Sequence, residues 1–161
     1  MKFRELYRDT TYVMPFFYLN IDVKGFSRTV YKEVIKSVDR IHFSEISIIE
    51  AKAKSLKIGR DQPEINKKFN EGLSVLAADE KAVIHGYRAM DDKKFNEFQP
   101  RGLSFFDAVI LAQSCTVGIL LTEDSKLLRL KDIGVKTINW DALLREMGMG
   151  DKLAFSKNFC D

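Results

Sequence analysis

The chain has 161 residues, of which 45% are hydrophobic and 30% charged; this suits one globular domain with one core and excludes a disordered or low-complexity protein. A net charge of +3 and a sequence pI near 8.8 permit a polyanionic partner without requiring one. The charged N-terminus (Lys2, Arg4, Glu5, Arg8, Asp9), the absence of any run approaching the ~18 apolar residues of a membrane helix, and two cysteines (Cys115, Cys160) outside any CxxC or metal spacing lead us to expect a cytoplasmic, reduced protein with no membrane partner.

The opening residues alternate loosely up to Arg8 and predict a first strand, closed by a turn at Asp9-Thr10-Thr11. Tyr12 to Leu19 is apolar and aromatic with Pro15 near its start, which suits a short helix carrying proline in its first turn. Apolar residues at 26, 30, 34 and 38 predict a helix, and Arg40–Phe43 a second strand. Ser44 opens a helix to about Lys57, with Ile46, Ile49, Ala53 and Leu56 as its inward stripe and Gly59 as its stop.

The middle is read as a polar helix from Pro63 to Gly72, a strand over Leu73–Ala77, and a helix from Asp79 to Met90 with Val83, Tyr87 and Met90 facing inward. Asp91 to Gly102 reads as a charged, mobile loop. From Ser104 to Cys115 the chain is apolar almost all round and predicts a buried helix. A strand at Gly118–Thr122, a helix from Asp124 to Leu130, a strand at Val135–Asn139 and a helix from Trp140 to Met147 complete residues 1–150 as one domain; 151–161 form a tail. Strands alternating with helices imply a parallel sheet covered on both faces, an α/β three-layer sandwich whose crevice lies beyond the carboxyl ends of the strands.

Two acids fall at that edge, Asp9 after the first strand and Asp124 after the Gly118–Thr122 strand. Each also reads as a helix N-cap. Asp107 completes a Ser104-x-x-Asp107 cap pattern, yet its neighbours are apolar, where an unpartnered carboxylate is costly. Glu50 falls about 40° from Ile46 on a helical wheel, at the rim of the apolar stripe; it can equally pair with Lys54, and Glu45 at the opposite rim is an alternative that geometry does not exclude. Glu123 is expected to face solvent. Gathered at one edge, such acids repel unless a cation neutralises them, and oxygen ligands favour Mg²⁺ or Mn²⁺. His42 and His85 are far apart in sequence and lack zinc spacing.

The residues Arg8-Asp9-Thr10-Thr11-Tyr12-Val13-Met14, Ser44-Glu45-Ile46-Ser47-Ile48-Ile49-Glu50, Leu103-Ser104-Phe105-Phe106-Asp107-Ala108-Val109-Ile110-Leu111-Ala112 and Ile119-Leu120-Leu121-Thr122-Glu123-Asp124 resemble, in this order, the motifs of the PIN-domain family. The resemblance implies a PIN-like sandwich and metal-dependent endoribonuclease chemistry at Asp9, Glu50, Asp107 and Asp124, with Mg²⁺ or Mn²⁺ as cofactor. It favours Glu50 over Glu45 and places the hydroxyls of Thr10 and Thr122 at the substrate and metal. RNA would be the substrate, its backbone held by Lys54, Lys57, Arg60 and Arg101. Toxins of the VapC type, homodimeric and blocked by an antitoxin peptide, are one branch of the family; non-catalytic RNA-binding or scaffold members are another. A receiver domain is disfavoured, since no convincing phospho-acceptor aspartate follows a middle strand, and a dinucleotide-binding domain because no GxGxxG follows the first strand.

Overall fold

The computed structural model describes residues 3–59 and 63–151. Five strands form one parallel sheet in the order β3-β2-β1-β4-β5: β1 (Glu5–Arg8), β2 (Arg40–Ser44), β3 (Ala82–His85), β4 (Ile119–Leu121) and β5 (Lys136–Ile138). Eight α-helices accompany them among the described residues: α1 (Thr10–Val13), α2 (Arg28–Ser37), α3 (Glu45–Gly59), α4 (Glu64–Ala78), α5 (Ala89–Phe98), α6 (Phe105–Ser114), α7 (Ser125–Arg129) and α8 (Trp140–Glu146). The α/β sandwich expected from the alternation is therefore the fold. Met1, Lys2, residues 60–62 (with the candidate RNA contact Arg60) and 152–161, the greater part of the expected tail, lie outside the described residues.

Alternate strand residues supply two faces, as a sheet buried on both sides demands. Leu6, Ile41, Leu121 and Ile138 pack with α2 and α8, while Phe43 packs with Ala51 of α3 and Phe69 and Leu76 of α4. On the other face Tyr7 and Leu120 meet α5, α6 and α7. The predicted burial of α6 holds, with every residue from Ala108 to Ser114 buried. Arg8 is fully buried too, donating from Nη1 to the Tyr31 hydroxyl at 2.5 Å with its guanidinium 4.8 Å from the centre of the Phe16 ring.

Four expectations need correction. Leu73–Ala77 is the end of α4, whose inward positions Phe69, Gly72 and Leu76 keep helical spacing while Leu73 and Val75 face outward. The third strand is instead Ala82–His85, inside the stretch read as a helix, and Tyr87 and Met90 are exposed. Residues 91–102 are α5 and a 3-10 turn at Gln99–Arg101, anchored by the buried Asp91, which takes the Arg88 guanidinium at 3.1 Å. Finally, α3 buries Ser47, Ala51, Ser55 and Gly59, leaving Ile49 and Leu56 exposed; small side chains let α4 and α1 approach closely, and packing distance decides against the bulkier stripe.

The apolar Tyr12–Leu19 segment is buried within the chain for the most part, with Tyr18 exposed. It forms α1 and a 3-10 turn at Met14–Phe17, with Tyr12, Val13, Phe17 and Leu19 buried. Gly72 fixes this segment to α4, because a Cβ there would lie 2.3 Å from the Phe16 carbonyl oxygen. Gly72→Ala should therefore cost about 1–3 kcal/mol, the usual penalty of overpacking. A urea midpoint equal to that of the wild type would show that the α4 contact with this turn yields freely.

Candidate active site

The carboxyl ends of β1 and β4 open into a cleft of about 330 Å³ lined by Asp9, Thr10, Thr11, Glu50, Asp107, Ile110, Glu123 and Asp124. Four separate segments contribute carboxylates to it. Asp9 is the first residue beyond β1, and its amide still reaches across to the Leu121 carbonyl at 3.1 Å. Asp124 follows β4 in the same way, its amide donating to the Thr122 hydroxyl at 3.0 Å. Asp107 stands in the first turn of α6 and Glu50 in the second turn of α3.

The capping roles read from the sequence are present. Asp9 Oδ1 accepts the Thr11 amide at 2.9 Å and begins α1. Asp124 Oδ1 accepts the Lys126 and Leu127 amides at 2.7 and 3.0 Å and begins α7. Ser104, and not Asp107, caps α6; its hydroxyl takes the Asp107 amide at 3.2 Å and donates to Asp107 Oδ2 at 2.5 Å. Each of these bonds occupies one carboxylate oxygen, so a cap and a seat on the cleft are compatible.

Glu50 accepts the Thr10 hydroxyl, which also lies 3.0 Å from Ser47 Oγ. Glu45, the alternative, is exposed and lies beside Gly86, away from the cleft. Thr122 is fully buried beneath the floor, bonded to both Asp9 and Asp124. Lys54 follows Glu50 by one turn and reaches the Met14 sulfur at 3.4 Å, while Lys57 is exposed farther along α3. Arg101 does not line the cleft; it donates to the Lys131 carbonyl at 3.2 Å and lies over the Phe98 ring.

Glu123 corrects the expectation of a solvent-facing acid. It lines the cleft, accepts the Tyr12 hydroxyl and takes the Trp140 amide at 2.8 Å. The signal was present in the two-residue period of an extended chain: Leu121 points to the Tyr12–Trp140 side of the sheet, and so must Glu123. The histidines are likewise closer than their spacing suggested. β2 pairs with β3 so that His42 Nδ1 and His85 Nε2 lie 2.9 Å apart, and burial lowers both pKa values.

The electrostatic strain of the cleft falls on Asp9. It is 8% exposed, and burial pushes its pKa from 3.8 up to about 7, against the lowering effect of the Thr122 hydroxyl and the Thr11 amide. Repulsion by the neighbouring acids was expected to be the main cause, but Glu123 is a minor contributor. Oxygen donors line the cleft without nitrogen or sulfur partners, a set suited to Mg²⁺ or Mn²⁺. As they stand, among the described residues, no three Asp, Glu, His or Cys side chains are drawn together tightly enough to hold one ion.

Comparison with known proteins places this geometry. The PIN domain family model matches residues 19–133. The chain belongs to the PIN-domain family. PIN domains are typically nucleases that use divalent metal ions. The match takes in Glu50, Asp107 and Asp124 and begins after Asp9, which the fold itself brings to the same cleft. The fold is also similar to that of a solved structure, "Crystal structure of PAE2754 from Pyrobaculum aerophilum", with a TM-score of 0.60 at 20% identity, over 89% of this chain and 96% of that one. No curated protein sequence matches the chain significantly. Among the described residues no helix is long and apolar enough to cross a membrane.

The raised pKa of Asp9 makes metal-free stability depend on pH. Between 3.8 and about 7 the folded state keeps a proton that the unfolded state has lost. The contribution of Asp9 to stability is therefore full below 3.8, falls as pH rises toward about 7, and is level above it. Asp9→Asn retains a capping side chain but removes the buried charge. Without metal it should melt above wild type at pH 7.5, and the gap should close toward pH 4. Parallel melting curves across that range would contradict a desolvated carboxylate at this position.

Proposed function

We propose that this PIN-domain protein is a metal-dependent endoribonuclease that hydrolyses phosphodiester bonds in RNA. The observation that carries the reading is the set of carboxylates from four separate segments lining one cleft at the carboxyl edge of the sheet, with the innermost, Asp9, desolvated. The hydrogen bonds Asp9 accepts offset only part of the cost of burying its charge, a cost that capping a helix at the surface does not incur.

Asp9 and Asp107 would hold the cation directly, and Glu50 and Asp124 would hold it directly or through water. Mg²⁺ or Mn²⁺ so held supplies positive charge to the phosphoryl oxygens and makes nearby water a better nucleophile. The protein's own part is to orient these acids. Thr10 fixes Glu50, Ser104 fixes Asp107, and Thr122 braces Asp9 and Asp124 from below. Glu123, committed to Tyr12 and Trp140, locks the turn after β4 to the core and adds negative charge at the cleft wall. Lys54, one turn beyond Glu50, would hold an RNA phosphate beside the cleft, and Lys57 and Arg101 are more distant candidates; Arg60 remains a candidate from the sequence alone.

The narrower form of the proposal is a VapC-type toxin, homodimeric and inhibited by an antitoxin peptide. The exposed Ile49 and Leu56 on α3 support it by offering an apolar face beside Glu50. One observation favours a non-catalytic RNA-binding member instead: the capping bonds of Asp9 and Asp124 give each of them a structural reason to be present.

Cleavage of single-stranded RNA separates the readings. Wild type should cut with Mn²⁺ or Mg²⁺ and stop with EDTA. Asp9→Asn and Asp107→Asn should each lose about two or more orders of magnitude in rate while remaining folded, the scale on which electrostatic stabilisation of a transition state acts. Wild-type rates in either variant would remove that residue from the site, and cleavage indifferent to EDTA would refute metal dependence.

A further inference from the structure

The N-terminus of α6 carries more than Asp107. Phe105 and Phe106 precede it and are 58% and 44% exposed. Neither serves the core, which takes its side chains from Ala108 onward. They belong to a row of rings: Tyr87 to Phe95 at 6.5 Å between centres, Phe95 to Phe105 at 5.3 Å, and Phe105 to Phe106 at 5.6 Å, each pair edge-on. Phe95 is anchored against the core and the Tyr87 hydroxyl is tied to Asp92 at 2.9 Å, so the row is held in place from its inner end.

The row leads to the cleft. Asp107 and Ile110 line it, and Phe106 lies one helical turn before Ile110 on the same stripe, continuing that side of α6 toward the helix's N-terminal end. Two lysines neighbour the carboxylates along their own elements: Lys54 one turn beyond Glu50 on α3, and Lys126, exposed, two residues after Asp124 on α7. The cleft mouth itself is negative, so phosphates gain little there without a cation. An uncharged π-face holds a nucleobase regardless of that charge.

We propose that Phe106 and Phe105 form a stacking platform for unpaired bases of single-stranded nucleic acid, which positions the strand so that its backbone crosses the carboxylates. This deepens the nuclease reading and rests on it: the platform selects single strands, because bases within a duplex present no free face. Aromatic stacking is tolerant of sequence, so the platform gives strand selectivity without a base code.

The test is fluorescence anisotropy of a labelled single-stranded RNA oligonucleotide at low salt with EDTA, which separates binding from cleavage. Phe106→Ala should weaken binding about tenfold, the scale of one lost base stack. Phe106→Leu, equally apolar, should bind no better than alanine, and Phe106→Trp should bind at least as well as wild type. On an oligonucleotide of abasic sites all four proteins should bind alike, and all should melt together. Affinity unchanged in Phe106→Ala, or restored by leucine, overturns the platform. A fall in light-scattering mass in Phe106→Ala with RNA affinity unchanged assigns the rings to an interface between copies and also overturns it. Ring-dependent binding by a wild type that cleaves nothing with Mn²⁺ sinks the nuclease reading alone. Cleavage that ignores the rings sinks the platform alone, and no RNA binding at all sinks both.

Discussion

The burial of one carboxylate at the end of the central strand governs the site. β1 lies between β2 and β4, so the first residue beyond it is walled in on both sides. Asp9 occupies that place, held to β4 through its own amide. The backbone amides of Thr11 and Tyr12 and one buried hydroxyl do not offset its loss of hydration, and its pKa rises to about 7. The remaining acids arrive from the turn after β4, from α3 and from the start of α6, all of which the parallel topology brings to the same edge. A cation bound there would neutralise a charge that the fold by itself leaves only partly compensated.

Helix capping is the device that places two of these acids, Asp9 at the start of α1 and Asp124 at the start of α7. A residue that starts a helix directly after a parallel strand sits at the carboxyl edge by construction, and a short carboxylate suits it because it satisfies amides that the helix leaves open. Asp124 meets two such amides through a single oxygen. Structural and chemical demands thus select the same residue types, so a sequence alone makes each acid look like an ordinary cap. Their common address distinguishes them.

The sequence was most informative where pattern and packing agree. The alternation of strands and helices, the buried α6 and the positions of Asp9, Asp107 and Asp124 followed from hydrophobic runs and turn residues. It misled where a local apolar run outvoted periodicity. Leu73 to Ala77 resembles a strand, yet Phe69, Gly72 and Leu76 set the helical face. Ala82–His85 pairs only with β2, at the edge of the sheet, and has no alternation to betray it. On α3 the backbones approach closely, and serine, alanine and glycine displaced the isoleucines and leucine from the interface. The inward turn of Glu123 was legible in the two-residue period it shares with Leu121, but the meeting of His42 with His85 depends on strand register across the sheet, which spacing along the chain does not encode.

The most direct measurement of the central claim is where a divalent cation binds. Mn²⁺ added in substoichiometric amounts to the isotopically labelled protein broadens the amide signals closest to the ion. The account predicts that Thr10, Thr11, Asp107 and Glu123, from segments far apart in sequence but around one cleft, lose intensity first and together. Broadening centred on another acidic surface, such as Asp92 and Glu97 on α5, or no selective broadening at all, would contradict it.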